Sequence, residues 1–127
     1  MNFLILIYGN PRNWQHPLFV QHPEFLALPA PERDELVGRW EALREEITAS
    51  GELVAGVALD APATTRTIRV RNDAAFTTDG PYAESKEYLA GYLVVECASA
   101  ERATDIAARI PDARFAAVEV RPVVDVR

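Results

Sequence analysis

The chain has 127 residues, with 13 Lys+Arg against 19 Asp+Glu, a formal charge of −6 and a sequence pI near 4.9. That length fits one domain, and 49% hydrophobic with 25% charged residues is ordinary globular usage, which excludes disordered and collagen-like classes. The acidic balance opposes a phosphate backbone and no basic run offsets it, so direct nucleic-acid binding is not expected. The single cysteine, Cys97, permits neither an internal disulfide nor a cysteine cluster for zinc or iron–sulfur ligation, and points to a reducing compartment.

Phe3 to Ile7 is a continuous apolar run closed by Gly9 and Pro11, the pattern of a strand buried on both faces. The segment is short, has no basic n-region and leads into Tyr8-Gly9-Asn10-Pro11, so it does not read as a signal peptide; nor does any apolar stretch reach the ~18 residues of a membrane span. A cytoplasmic protein is expected. Residues 10–30 hold two histidines and the apolar set Trp14, Leu18, Phe19, Phe25, Leu26 and Leu28 without a clean period, which reads as an irregular, partly ordered excursion or lid. Pro31 then suits the first position of a helix. Leu36, Val37, Trp40, Leu43 and Ile47 share one face of it, Glu35 can pair with Arg39, and Gly51 is the stop.

Two strands follow, one in Glu52 to Leu59 and one in Arg66 to Arg71, and Asn72-Asp73 turns the second into a hairpin with Phe76 to Thr78. Leu89 to Cys97, almost wholly apolar, reads as a central strand. Ser99 caps a second helix, whose face Ala103, Ile106, Ala107 and Ile110 runs to Pro111, and Phe115 to Val123 supplies a last strand at a sheet margin. This order is that of an α+β, ferredoxin-like (split βαβ) antiparallel sheet with two helices on one face. Because the Phe3 to Tyr8 and Leu89 to Cys97 strands are apolar on both alternations, the second face also needs a dry partner. Another copy is the simplest one, giving a homodimer whose paired sheets could enclose a ligand cavity.

The stretch Thr77-Thr78-Asp79-Gly80-Pro81-Tyr82-Ala83-Glu84-Ser85-Lys86-Glu87 resembles the signature of the YCII-related, DGPF-domain proteins, with Tyr82 in place of the family's phenylalanine. Phe3-Leu4-Ile5-Leu6-Ile7-Tyr8-Gly9 is similar to the family's opening strand, Leu89-Ala90-Gly91-Tyr92 to its central one, and Val118-Glu119-Val120-Arg121-Pro122-Val123 to its closing one. The resemblance covers essentially residues 1–127 as a single domain and implies a subunit that pairs into a dimeric α+β barrel. It implies no settled reaction. Relatives in the wider superfamily resemble muconolactone isomerases and dehalogenases, which transfer protons without an organic cofactor, while DGPF domains are also associated with extracytoplasmic-function sigma factors. The excursion at 10–30 is longer than the family pattern, so nothing carries over to its histidines.

Asp79-Gly80-Pro81 is turn chemistry in its own right. Beside it Lys86, the only lysine among 13 basic residues, stands among Glu84, Ser85 and Glu87, where it could anchor an anionic ligand or exchange protons, or simply form a solvated loop ion pair. Tyr8 could offer a phenol at the barrel mouth or cap the core. Arg121 could bind a carboxylate bidentately or pair across the sheet. Tyr88 and Tyr92, four apart on the same strand alternation, would form an aromatic wall if that face lines the cavity, or else pack in the core. His16 and His22 titrate nearest neutrality and could act as general acid or base, or belong to a proline-rich surface segment.

Two histidines with no HExxH spacing leave no metal set, and Cys97 in its apolar strand reads as an inert buried thiol. No P-loop, dinucleotide fingerprint or GxSxG elbow occurs, so no cofactor is expected. Two functional readings follow. In the first, a cofactor-independent acid/base isomerase or lyase, or a binding protein, holds a small anionic or polar ligand between sheet and lid, with His16, His22, Asp79 and Lys86 as catalytic candidates and Tyr8, Glu84, Ser85, Tyr92 and Arg121 as binding ones. In the second, a non-catalytic dimer docks a protein partner, a sigma factor or its regulator, through the 10–30 segment.

Overall fold

The structure, a computed structural model, describes residues 1–9, 19–81 and 88–126. Strand β1 (Asn2–Gly9) is followed by a 3-10 turn (Phe19–Gln21) and helices α1 (Pro23–Leu26) and α2 (Ala30–Ala49). Strands β2 (Leu53–Ala58), β3 (Arg66–Arg71), β4 (Ala74–Asp79) and β5 (Tyr88–Glu96) come next. Helix α3 (Ala100–Ala108), a 3-10 turn (Pro111–Arg114) and strand β6 (Val118–Pro122) close the chain. The main sheet runs β2-β5-β1-β6 with antiparallel neighbours throughout. Two βαβ halves, β1-α2-β2 and β5-α3-β6, are thus interleaved, and the fold is the α+β, ferredoxin-like one with both long helices on one face.

The core explains that choice of face. Phe3, Ile5 and Ile7 of β1 pair across with Val95, Leu93 and Gly91 of β5, and this alternation buries itself against Leu43 and Ile47 of α2 and Ala103, Ile106 and Ala107 of α3. The Ser99 Oγ accepts the Arg102 backbone N–H at 3.1 Å, the capping bond that starts α3. Gly91 has a steric reason: a Cβ there would lie 2.5 Å from the Val57 carbonyl oxygen, so a side chain would force β2 and β5 apart. A second cluster, Phe19, Phe25 and Leu36 with Phe115, seats residues 19–28 against α2 and the α3–β6 connection. Its rings meet edge-on or stacked at centroid distances of 5.1 to 6.4 Å.

Among the described residues no helix covers the other alternation of the sheet. Leu4 and Leu6 of β1 and Tyr92 and Val94 of β5 share that side, with Glu119 and Arg121 of β6 as its polar margin. The β3–β4 hairpin is a sheet of its own, turned by Asn72 and Asp73 at φ 50° and 62°. Its apolar side chains are not buried: Ile68, Val70 and Phe76 are 60, 65 and 56% exposed.

Candidate functional site

Between α2 and the β2–β5 end of the sheet lies a cavity of about 240 Å³. Trp40, Arg44 and Ile47 border it from α2, Val57 and Ala58 from β2, Gly91 and Leu93 from β5, Ile7 from β1, and Asp112 from the 3-10 turn after α3. The helical spacing of 40, 44 and 47 places aromatic, cation and aliphatic groups on one stripe of α2. The absence of a side chain on Gly91 keeps the strand end open.

Asp112 is the chemically distinctive wall. It is only 6% exposed, and its Oδ2 accepts the Phe19 backbone N–H at 3.0 Å. The bonds it accepts come from backbone N–H groups, those of Phe19 and of Asp112 itself, and among the described residues no cation pairs with it. Burial therefore dominates and pushes its carboxyl up to about 6, against the smaller opposing effect of the two N–H donors. A carboxyl so placed is populated in both protonation states near neutrality, the condition for moving a proton in either direction. Arg44, exposed at the same cavity and without an ion pair among the described residues, supplies positive charge at its mouth.

A second polar group stands on the open side of the sheet. Tyr8 hydrogen-bonds to Glu119, which raises the phenol pKa, with burial adding to the rise and Arg121 opposing it. Tyr8, Glu119 and Arg121 thus form one cluster across β1 and β6.

The remaining candidates are dispersed. Asp79 ends β4 exposed, opposite Arg66, and the following Gly80 takes φ 92° while its N–H donates to the Thr65 carbonyl, so these two residues act as a turn. His22 is the N-cap of α1, its Nδ1 accepting the Glu24 N–H at 3.2 Å while its ring tilts against Phe115 at 5.3 Å. His16, Glu84, Ser85 and Lys86 lie outside the described residues. The expected aromatic wall of Tyr88 and Tyr92 is corrected by a register shift: Ile7 pairs with Gly91 but Tyr8 with Leu89. This bulge inverts the alternation between the two tyrosines, so they stand on opposite faces of the sheet. Cys97 is buried against Glu52, its Sγ 3.7 Å from the carboxylate, and burial raises its pKa, as an inert thiol requires.

Asp112 was missed because Pro111 reads only as a helix stop. The available signal was an acid directly after that proline, in the first turn of a new helical segment beneath an apolar helix end. Among the described residues no group of histidine, cysteine and acidic side chains has a metal-holding arrangement, and no helix is long and apolar enough to cross a membrane.

Among known proteins, the chain is 33% identical over 94 residues to an uncharacterised protein of Rhizobium meliloti (strain 1021), covering 72% of this chain and 76% of the relative. Among solved structures it is similar, at 17% identity and a TM-score of 0.47, to a 5-chloro-2-hydroxyhydroquinone dehydrochlorinase from Burkholderia phenoliruptrix AC1100 in complex with 2,5-dihydroxybenzoquinone. That similarity covers 98% of this chain and 94% of the other. The family model of the YCII-related domain matches residues 1–127, and the chain belongs to that family.

Proposed function

We propose that the chain binds a small organic ligand in the cavity between α2 and the sheet and transfers a proton on it, with Asp112 as the acid/base group. The observation that carries this reading is a buried carboxyl at about 6 in the wall of a cavity that also holds an aromatic face and a cation without an ion pair among the described residues. Size narrows the ligand. An apolar cavity of ~150 Å³ accepts benzene and drug-sized ligands need roughly 300 Å³ or more, so about 240 Å³ suits one substituted ring or a chain of similar bulk. Arg44 favours an anionic substituent directed at the mouth, and the shared proton makes the reaction class an isomerisation or elimination at an acidified C–H. Chemistry of this kind asks only for side chains, in a reducing cytoplasm where Cys97 stays a thiol.

The test is native mass spectrometry of the protein isolated from its own source, followed by incubation of any retained compound with the protein in D2O. Wild type is expected to exchange deuterium into the compound and Asp112→Asn to lose that exchange. Equal exchange in both would remove Asp112 from the reaction.

The uncovered sheet face supports a proposal about assembly. Leu4, Tyr92 and Val94, half-buried on the sheet face, offer apolar surface suited to a second copy of this chain in a face-to-face barrel, and the hairpin exposes Ile68, Val70 and Phe76 besides. Light scattering at micromolar concentration is expected to give twice the chain mass. A monomer there would overturn this assembly.

A further inference from the structure

A second cavity, of about 310 Å³, lies between α2 and the junction of α3 with the Pro111–Arg114 turn. It uses a different face of α2, that of Leu36, Arg39 and Ala42, from the one that borders the first cavity. Its floor is apolar, made by Leu36, Ile110 and Pro111, all buried. Around it stand three arginines from three places in the fold: Arg39 of α2, Arg109 at the C-cap of α3, and Arg114 at the end of the 3-10 turn. In a chain of net charge −6 this is a local concentration of cations that packing does not require.

Two of these guanidiniums already grip carboxylates. Arg39 holds Glu35 one helical turn away, and Arg109 presents both terminal nitrogens to Glu46 at 2.6 and 3.3 Å. Arg114 has no ion pair among the described residues. The Glu35 pair is largely exposed on both partners, and exposed pairs are worth ~0–1 kcal/mol, so an incoming anion of higher charge can take over such an arginine at little cost. Each guanidinium carries five donors in a planar fork that matches tetrahedral or carboxylate oxygens in pairs.

We propose that this groove is a binding site for a dianionic phosphate group, held by Arg39, Arg109 and Arg114 over the apolar floor, and separate from the Asp112 cavity. The floor suits a phosphate carried on a small apolar group better than the bare ion.

The test is titration of the full chain, at about 0.15 M salt so that loose surface attraction is screened, with inorganic phosphate and with phenyl phosphate. Binding would be followed by calorimetry and by backbone amide shifts at Ala108 and Ile110. Saturable binding is expected, weakened about tenfold or more in Arg114→Met and in Arg39→Met and unchanged in Arg66→Met on the distant hairpin. Arg114→Lys, which keeps the charge without the fork, is expected to recover only part of the affinity. Tighter binding of phenyl phosphate assigns the floor to the ligand's organic part, and equal binding assigns a bare anion; both support the site. Absence of saturation, or equal affinity in Arg114→Met with an unchanged thermal melt, would overturn it.

Discussion

Glu52 and Asp112 are both carboxylates beside the same core, yet they end up on opposite sides of the ordinary carboxylate range. Glu52, at the start of β2, accepts Arg102 Nε and a terminal guanidinium nitrogen at 2.8 Å each, and Arg102 also reaches Glu46 and Asp105. That guanidinium holds Glu52 down at about 2 in spite of the burial. Asp112 has, among the described residues, only backbone N–H donors and is pushed up to about 6. The difference lies in the partner. A cation satisfies a carboxylate and makes it structural, whereas burial with neutral donors leaves it able to exchange a proton.

The largest expected effect comes from removing the charge at Asp112 while keeping its shape. A carboxyl raised from 3.8 to about 6 binds its proton more tightly in the folded chain, so folding stability falls as pH rises through that window and stays low above it, by about 3 kcal/mol. Glu52 has the reverse sign: its contribution is complete above the usual 4.5 and is lost as pH falls toward 2. The two together favour folding most between 3.8 and 4.5. Asp112→Asn can still accept the Phe19 N–H. It is expected to abolish the decline toward neutrality, making the variant more stable than wild type at pH 7 in urea titrations while losing proton transfer. A variant whose stability keeps the wild-type pH slope would show that Asp112 is not the group responsible.

Arg102→Met is the complementary change. It strands Glu52, whose side chain is 17% exposed, at a cost of about 1–3 kcal/mol for a polar group left without its partner. It also lets Glu52 titrate nearer its ordinary value, so the loss of stability that Glu52 causes as pH falls from 4.5 toward 2 shrinks and the acid limb of the curve flattens. The opposite end of the molecule is expected not to respond, and a pH-dependent decline from Asp112 that persists in Arg102→Met would confirm that the two carboxylates act independently.

The difference between these ends also separates what could be read from the chain from what could not. Phe3, Ile5 and Ile7, the Ser99 cap and the run of 36, 40, 43 and 47 announce their elements because local periodicity and capping chemistry carry the information. The strand order follows from that element order. Asp112 gives no such signal, since its character depends on Phe19, 93 residues away, and on a cavity formed by α2 and two strands. The Tyr88–Tyr92 pairing failed for a related reason: the bulge opposite Ile7 and Tyr8 is a property of how β1 and β5 meet, invisible within either strand. His22 shows the converse, a residue whose chemistry suggests catalysis while its neighbours Glu24 and Phe115 engage it as a cap and a packing face.

Phe115→Leu sharpens the comparison from the apolar side. The Phe115 ring meets Phe19, Phe25 and His22, and the Asp112 carboxylate meets the Phe19 backbone, so one segment is held by ring packing and by a single buried hydrogen bond. Replacing the ring keeps most of the volume and loses the aromatic geometry, at about 1 kcal/mol. The loss should appear locally, as faster hydrogen exchange of the Leu26, Ala27 and Leu28 amides that bond to His22, Pro23 and Phe25 carbonyls. Exchange near Glu52 should not change, because its anchor is Arg102 on the other end of α3. In a double variant with Asp112→Asn, two holds on one rigid segment should give a combined effect that departs from the sum of the singles. Strict additivity would mean that ring packing and the buried bond hold the segment independently, and that Asp112's protonation does not reach beyond the cavity wall.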